Sequence, residues 1–160
     1  MFKTQSKPKD LIPQLDIFAA KSTTLKHLMS EIVALIHKNL PNYNWVGFYM
    51  IDENDKNMLE LGPFKGAATP HTRIPLNQGI CGAAASAGKT VVVDDVKSDP
   101  RYLACSTETK SEIVVPIFVR GEVRGELDID SHSPSAFAAE DREMCEHAAT
   151  LVGRWLEMHP

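Results

Sequence analysis

Cys105 sits in a polar stretch, Tyr102-Leu103-Ala104-Cys105-Ser106-Thr107-Glu108-Thr109. Buried structural cysteines favour apolar elements, so a thiol in such a loop is a candidate for nucleophilic or redox chemistry. Cys81 follows Gly79-Ile80 at the start of a short run of small residues. If that run is helical, the positive end of its dipole would favour a thiolate there. Cys145 lies beside the apolar stripe of the last helical segment and reads as a packing residue.

Carboxylates form the second group. In Gly125-Glu126-Leu127-Asp128-Ile129-Asp130-Ser131 a strand would turn Glu126, Asp128 and Asp130 to one face and Leu127 and Ile129 to the other. Three acids on one face are usual on a solvated sheet surface. Aspartate is disfavoured within strands, however. Two of them at i, i+2 gather negative charge that would hold an ammonium group or a cation. Mutual repulsion would also raise at least one carboxyl pKa and keep a proton available for acid catalysis. Upstream, alternation puts Trp45, Gly47 and Tyr49 on one side of a strand. A glycine between two aromatics is either plain core packing or a recess with aromatic walls, suited to an apolar or thioether group.

Other chemical templates are missing from the sequence. There is no Cys-x-x-Cys, His-Glu-x-x-His, Gly-x-Ser-x-Gly, Gly-x-Gly-x-x-Gly or phosphate-binding Lys-Ser/Thr loop. The six histidines are scattered, and a zinc set of His71, Cys81 and Cys105 matches no usual spacing. No metal or cofactor is expected.

These residues must be held by the elements around them. The chain has 160 residues, 43% of them hydrophobic, enough for one domain with a core that needs no disulfide staple. Residues 1–9 read as a frayed start and the remainder as one domain spanning the chain. Seventeen basic against 21 acidic residues argue against a nucleic-acid or anionic-membrane surface. Apolar runs are strand-sized, no secretory leader is visible, and three cysteines are too few and odd in number for a secreted framework. A cytoplasmic protein is expected. Periodicity predicts helices from about Asp10, after Ser22 to Asn39, over Gly79–Ala87 and over Ala138–Leu156. Strands are predicted at Asn44–Ile51, Met58–Phe64, Arg73–Leu76, Thr90–Val93, Glu112–Val119 and Glu122–Asp130, with 94–109 largely loop. This order points to an α+β fold, an antiparallel sheet with the N- and C-terminal helices packed on one face.

The chain resembles the free methionine-(R)-sulfoxide reductases, which are single GAF domains. The resemblance runs from about residue 20 to 156. It rests on Asn44-Trp45-Val46-Gly47-Phe48-Tyr49, Leu61-Gly62-Pro63-Phe64-Lys65-Gly66, Arg73-Ile74-Pro75 and Gly79-Ile80-Cys81-Gly82. It continues through Ala104-Cys105, Ser111-Glu112-Ile113-Val114-Val115-Pro116, the acidic strand to Ser131, and Phe137 with Glu140-Asp141. It implies that Cys105 is the nucleophile and Cys81 a second redox cysteine. Glu112, Asp128 and Asp130 would line the ligand pocket, with Trp45 and Tyr49 as its aromatic wall. Free methionine sulfoxide as substrate, thioredoxin as reductant, a homodimer and a cytosolic location come with the family. Two positions depart from its pattern: His71 stands where members commonly carry a resolving cysteine, and Glu126 where the strand is usually apolar. The alternative is a non-catalytic GAF module that binds a small amino-acid-like or nucleotide ligand.

Overall fold

The computed structural model describes residues 5–103 and 107–160. Its helices are α1 (Ile12–Lys21), α2 (Leu25–Asn39), α3 (Gly79–Ala87) and α4 (Ala139–Met158). The strands are β1 (Trp45–Asp52), β2 (Asp55–Lys65), β3 (Arg73–Pro75), β4 (Val91–Val93), β5 (Ser111–Val119) and β6 (Glu122–Ser131). A 3-10 turn at Pro8–Leu11 precedes α1 and buries Leu11, so ordered structure begins inside the stretch read as frayed. All strand pairs are antiparallel, in the order β3-β2-β1-β6-β5-β4. No helix among the described residues is long and apolar enough to cross a membrane.

Local sequence explains each junction that matters here. Thr24 Oγ1 accepts a hydrogen bond from His27 N at 3.1 Å and starts α2, whose apolar stripe of Leu28, Met29, Ile32, Val33 and Ile36 is buried. Arg120 and Gly121 both take positive φ, 50° and 81°. That is the two-residue turn whose twist matches a right-twisted hairpin, and it sets the register of β5 against β6.

The sheet separates two cores. Val46 and Phe48 of β1, Ile113, Val115 and Ile117 of β5, and Leu127 and Ile129 of β6 pack under α1, α2 and α4. The terminal helices thus share one face, as expected. The other face carries Trp45, Tyr49, Leu59 and Val114 and is covered by α3 through Ile80, Cys81, Ala84 and Ala85. Cys145 is buried in the first core, on α4, and its thiol pKa is pushed up by burial and then by the charge of Asp141. It belongs to packing, as its place beside the stripe suggested.

Helix α4 packs against β5 at Gly153, where an added Cβ would run into the carbonyl oxygen of Phe118. Gly153→Ala should therefore destabilise the fold by about 1–3 kcal/mol, the usual range for an overpacked contact. Urea unfolding would measure this; an unchanged midpoint would mean that α4 can lift off β5 freely.

Candidate functional site

Strand register builds the floor of the site. Asp130 of β6 stands between Trp45 of β1 and Glu112 of β5; Asp128 stands between Gly47 and Val114; Glu126 stands between Tyr49 and Pro116. The acidic face is therefore the inner face of the second core and not a solvated surface. Glu112, Glu126, Asp128 and Asp130 are 5%, 0%, 4% and 6% exposed. Central strands force this outcome: β6 has a neighbour on each side, and α3 and the crossing loops cover it.

The aromatic wall differs from the expected recess. A Cβ on Gly47 would overlap the Trp45 ring, so the glycine makes room for the indole to lie across the strand. Trp45 stacks on Phe64 at 5.6 Å and on Tyr49 at 6.1 Å between ring centroids. Both polar ends pin the segment after β2. Trp45 Nε1 donates to Ala67 O at 3.1 Å, and the Tyr49 hydroxyl donates to His71 O at 2.7 Å. Gly66, at φ 125°, lets that segment pass close to Asn44 and Trp45.

Two cavities meet at Tyr49 and Asp128. The larger, about 140 Å³, is lined by Trp45, Tyr49, Ala67, Thr69, Asp128, Asp130 and His132 among others. The smaller, about 20 Å³, is lined by Cys81, Glu112, Leu103 and the shared pair. Trp45, Tyr49, Asp128 and Asp130 thus fall on one cavity, and Cys81 and Glu112 on its neighbour. Cys105 lies outside the described residues. His71 meets Tyr49 through its backbone carbonyl, and its N–H donates to Thr69 Oγ1 at 3.1 Å. The wall formed by Ala67, Thr69 and His132 had no signal in the sequence: the first two are loop residues on the segment held by Trp45 and Tyr49, and His132 follows β6, its N–H donating to Asn44 Oδ1 at 2.8 Å.

The electrostatics are one-sided. Burial raises the pKa of Glu112 well above the usual carboxyl range, reinforced by the charges of Asp128 and Asp130. Burial and the charge of Asp128 do the same to Glu126 and to Asp130. Asp128 is also raised by burial, with Glu112 and Cys81 acting in the opposite sense as donors. Both oxygens of Glu126, and one each of Asp128 and Asp130, have no hydrogen-bond partner among the described residues. The Cys81 thiol lies beside Glu126, close enough for each to shift the other's pKa. The expectation of a Cys81 thiolate is overturned. Burial first, then the charges of Asp128, Glu126 and Glu112, push its pKa well up. A helix dipole cannot offset a desolvated thiol facing three carboxyls.

The GAF domain family matches residues 24–155. The free methionine-R-sulfoxide reductase of Saccharomyces cerevisiae is 39% identical over 127 residues, 78% of this chain and 70% of that protein. The free methionine-R-sulfoxide reductase of Escherichia coli is 33% identical over 134 residues, 84% of this chain and 79% of that protein. Among solved structures, the free methionine-R-sulfoxide reductase from Neisseria meningitidis in complex with its substrate matches with a TM-score of 0.90 at 34% identity. The match covers 98% of this chain and 94% of that one.

Raised carboxyl pKa values have a definite sign in stability. The folded protein binds more protons than the unfolded chain once pH exceeds the unfolded carboxyl value of about 4. This contribution is therefore fully present below that pH and is lost as pH rises through the folded values. Glu126→Val should accordingly raise the unfolding free energy at about pH 8 by about 1–3 kcal/mol, the cost of an unsatisfied buried polar group. The gain should shrink toward about pH 5, where wild-type Glu126 keeps its proton. Chemical unfolding across this range tests it, and a pH-independent difference would mean that Glu126 has the same pKa in the folded and unfolded states.

Proposed function

Because the chain belongs to the GAF domain family and, within it, to the free methionine-R-sulfoxide reductases, we propose that it reduces free L-methionine (R)-sulfoxide to methionine. The observation that carries this reading is the set of buried carboxyls at the floor of an aromatic-walled cavity. Free methionine sulfoxide brings an ammonium group, the cation that Asp128 and Asp130 lack. Peptide-bound methionine has a neutral amide nitrogen at that place and would leave them unpaired, a strong ground for rejection. Trp45 and Tyr49 offer aromatic surface to the sulfur-bearing side chain.

The family resemblance and the polar sequence around it make Cys105 the nucleophile in this reading; the burial of Cys145 in the opposite core and the raised thiol pKa of Cys81 support it. The Cys105 thiolate attacks the sulfoxide sulfur while Glu112, whose burial and acidic neighbours raise its pKa and favour the protonated form, donates to the departing oxygen. The substrate sulfur gains two electrons and leaves as methionine. Cys105 loses two and keeps the oxygen as a sulfenic acid. Cys81 then condenses with it: a sulfur–sulfur bond forms and water leaves, carrying the sulfenic hydroxyl and the thiol proton. A dithiol protein of the thioredoxin type reopens the disulfide by two exchanges. The same reading places the protein in a reducing, cytoplasmic compartment, as a homodimer.

Cys105→Ser should abolish turnover and retain ligand binding, since a serine hydroxyl is too weak a nucleophile at neutral pH. One equivalent of free methionine (R)-sulfoxide added to reduced wild-type protein should give a Cys81–Cys105 disulfide on non-reducing peptide mapping. Turnover by the serine variant near the wild-type rate, or a stable Cys105 sulfenic acid in wild type, contradicts this scheme. Binding with no reduction in wild type would favour the binding-module alternative, to which the His71 substitution gives its one point of support.

Glu112→Gln and Asp128→Asn should each lose at least about tenfold in kcat/KM, from lost acid catalysis or lost pairing with the ammonium. Glu126→Val should lose much less. Equal losses at all three positions in a coupled steady-state assay would reduce the acidic face to a general electrostatic role.

A further inference from the structure

Cys81, Glu112 and Asp128 come from α3, β5 and β6, yet one donor atom of each lies within 4.8 Å of the other two. The cavity beside them, about 20 Å³, has room for one water-sized body and none for an amino acid. Asp128 Oδ1 is buried with no hydrogen-bond partner among the described residues. So are both oxygens of Glu126, one inward-facing position along β6 and close enough to act on the Cys81 thiol. No ion pair among the described residues involves these three carboxyls. Buried carboxyl oxygens without a hydrogen-bond partner among the described residues, around a space of this size, suit a small cation.

We propose that Cys81, Glu112 and Asp128 bind one divalent transition-metal ion of the zinc type, that Glu126 adds negative charge behind it, and that the bound ion blocks sulfoxide reduction. The donor set selects the metal. A thiolate among carboxylates suits zinc or cobalt, whereas magnesium and calcium take oxygen ligands and leave sulfur unused. Zinc bonds of about 2.3 Å to sulfur and about 2.0–2.2 Å to oxygen put tetrahedral donors roughly 3.5 Å apart. The three need draw in by only about an ångström from their widest separation. The inhibitory consequence rests on the reductase reading: the ion takes up the resolving thiol Cys81 and the acid Glu112 together, and stands where substrate meets Asp128.

Titration of reduced, metal-free protein with Co²⁺ tests the site without any turnover. Wild type should show a thiolate-to-cobalt charge-transfer band that saturates at one equivalent per chain and is displaced by Zn²⁺. Cys81→Ser should remove the band and Cys145→Ser should leave it. Glu126→Gln should weaken Co²⁺ binding by about tenfold or more, the usual cost of losing an outer partner of a metal site. Asp128→Asn should weaken it at least as much. In the coupled assay Zn²⁺ should inhibit wild type at concentrations that track its affinity, and a chelator should restore the rate. No band in wild type, or a band that persists in Cys81→Ser, overturns the site. If Cys81→Ser fails to fold by circular dichroism, unchanged affinity in both carboxyl variants overturns it equally. A protein that binds Co²⁺ through Cys81 but leaves the sulfoxide untouched overturns the reductase reading and leaves the metal site standing. One that reduces the sulfoxide and shows no band does the reverse.

Discussion

Burying four carboxyls on one face of a central strand pair, with no cation among the described residues to pair with them, is the constraint around which this protein is arranged. Ionised together they would repel one another in a low-dielectric interior. The fold resolves the conflict by raising their pKa values and holding protons. Stability and chemistry then draw on the same groups. A proton retained against the pull of solvent is a proton that can be donated. A lone pair without a donor is a place for a cation.

The sheet makes this tolerable by giving its two faces different work. The face under α1, α2 and α4 is apolar throughout, with Leu28, Ile32, Val46, Phe48, Ile117, Leu127 and Ile129 almost fully buried. Its packing supplies stabilisation that the opposite face partly gives back. There the aromatic residues hold a segment in place rather than simply filling space. Trp45 and Tyr49 each spend their polar atom on the chain after β2, which closes the cavity beside Asp128 and Asp130. Loss of either aromatic would therefore reach beyond the area it buries, because the wall of the cavity hangs on it.

Cysteine behaviour follows from place. Cys145 is a core residue between α4 and the sheet, and its reactivity is suppressed by burial and a neighbouring acid. Cys81 is also buried but opens onto the carboxyl cluster, so burial first and the neighbouring carboxyls second push its thiol pKa up. A thiol of that kind is a poor first nucleophile. It is a reasonable second reactant for an electrophilic sulfenic acid, and a metal ion that neutralises the surrounding charge would bring it out as a thiolate.

Much of this was open to reading from the residues alone. Period-two and period-3.6 patterns, with the small-residue run of α3 and its Gly88 stop, placed the four helices and six strands of the described residues to within a few residues, since these signals are written locally. The Arg120-Gly121 turn was equally legible, because a two-residue hairpin asks for positive φ and glycine offers it. Alternation correctly grouped Glu126, Asp128 and Asp130 on one face. What that face meets was beyond the sequence. Whether a strand's polar side looks at water or at a second layer depends on which strands flank it and what crosses above, and both are decided only when β6 is inserted between β1 and β5 and α3 folds over it. For the same reason the start of α3 does not make Cys81 a thiolate. The dipole is a property of α3 alone, but the burial that raises the thiol pKa, and the carboxyls that add to it, come from packing α3 onto β5 and β6, some 30 to 50 residues later in the chain. Local periodicity determined the elements and their faces; long-range strand order alone decided that the acids would be buried together.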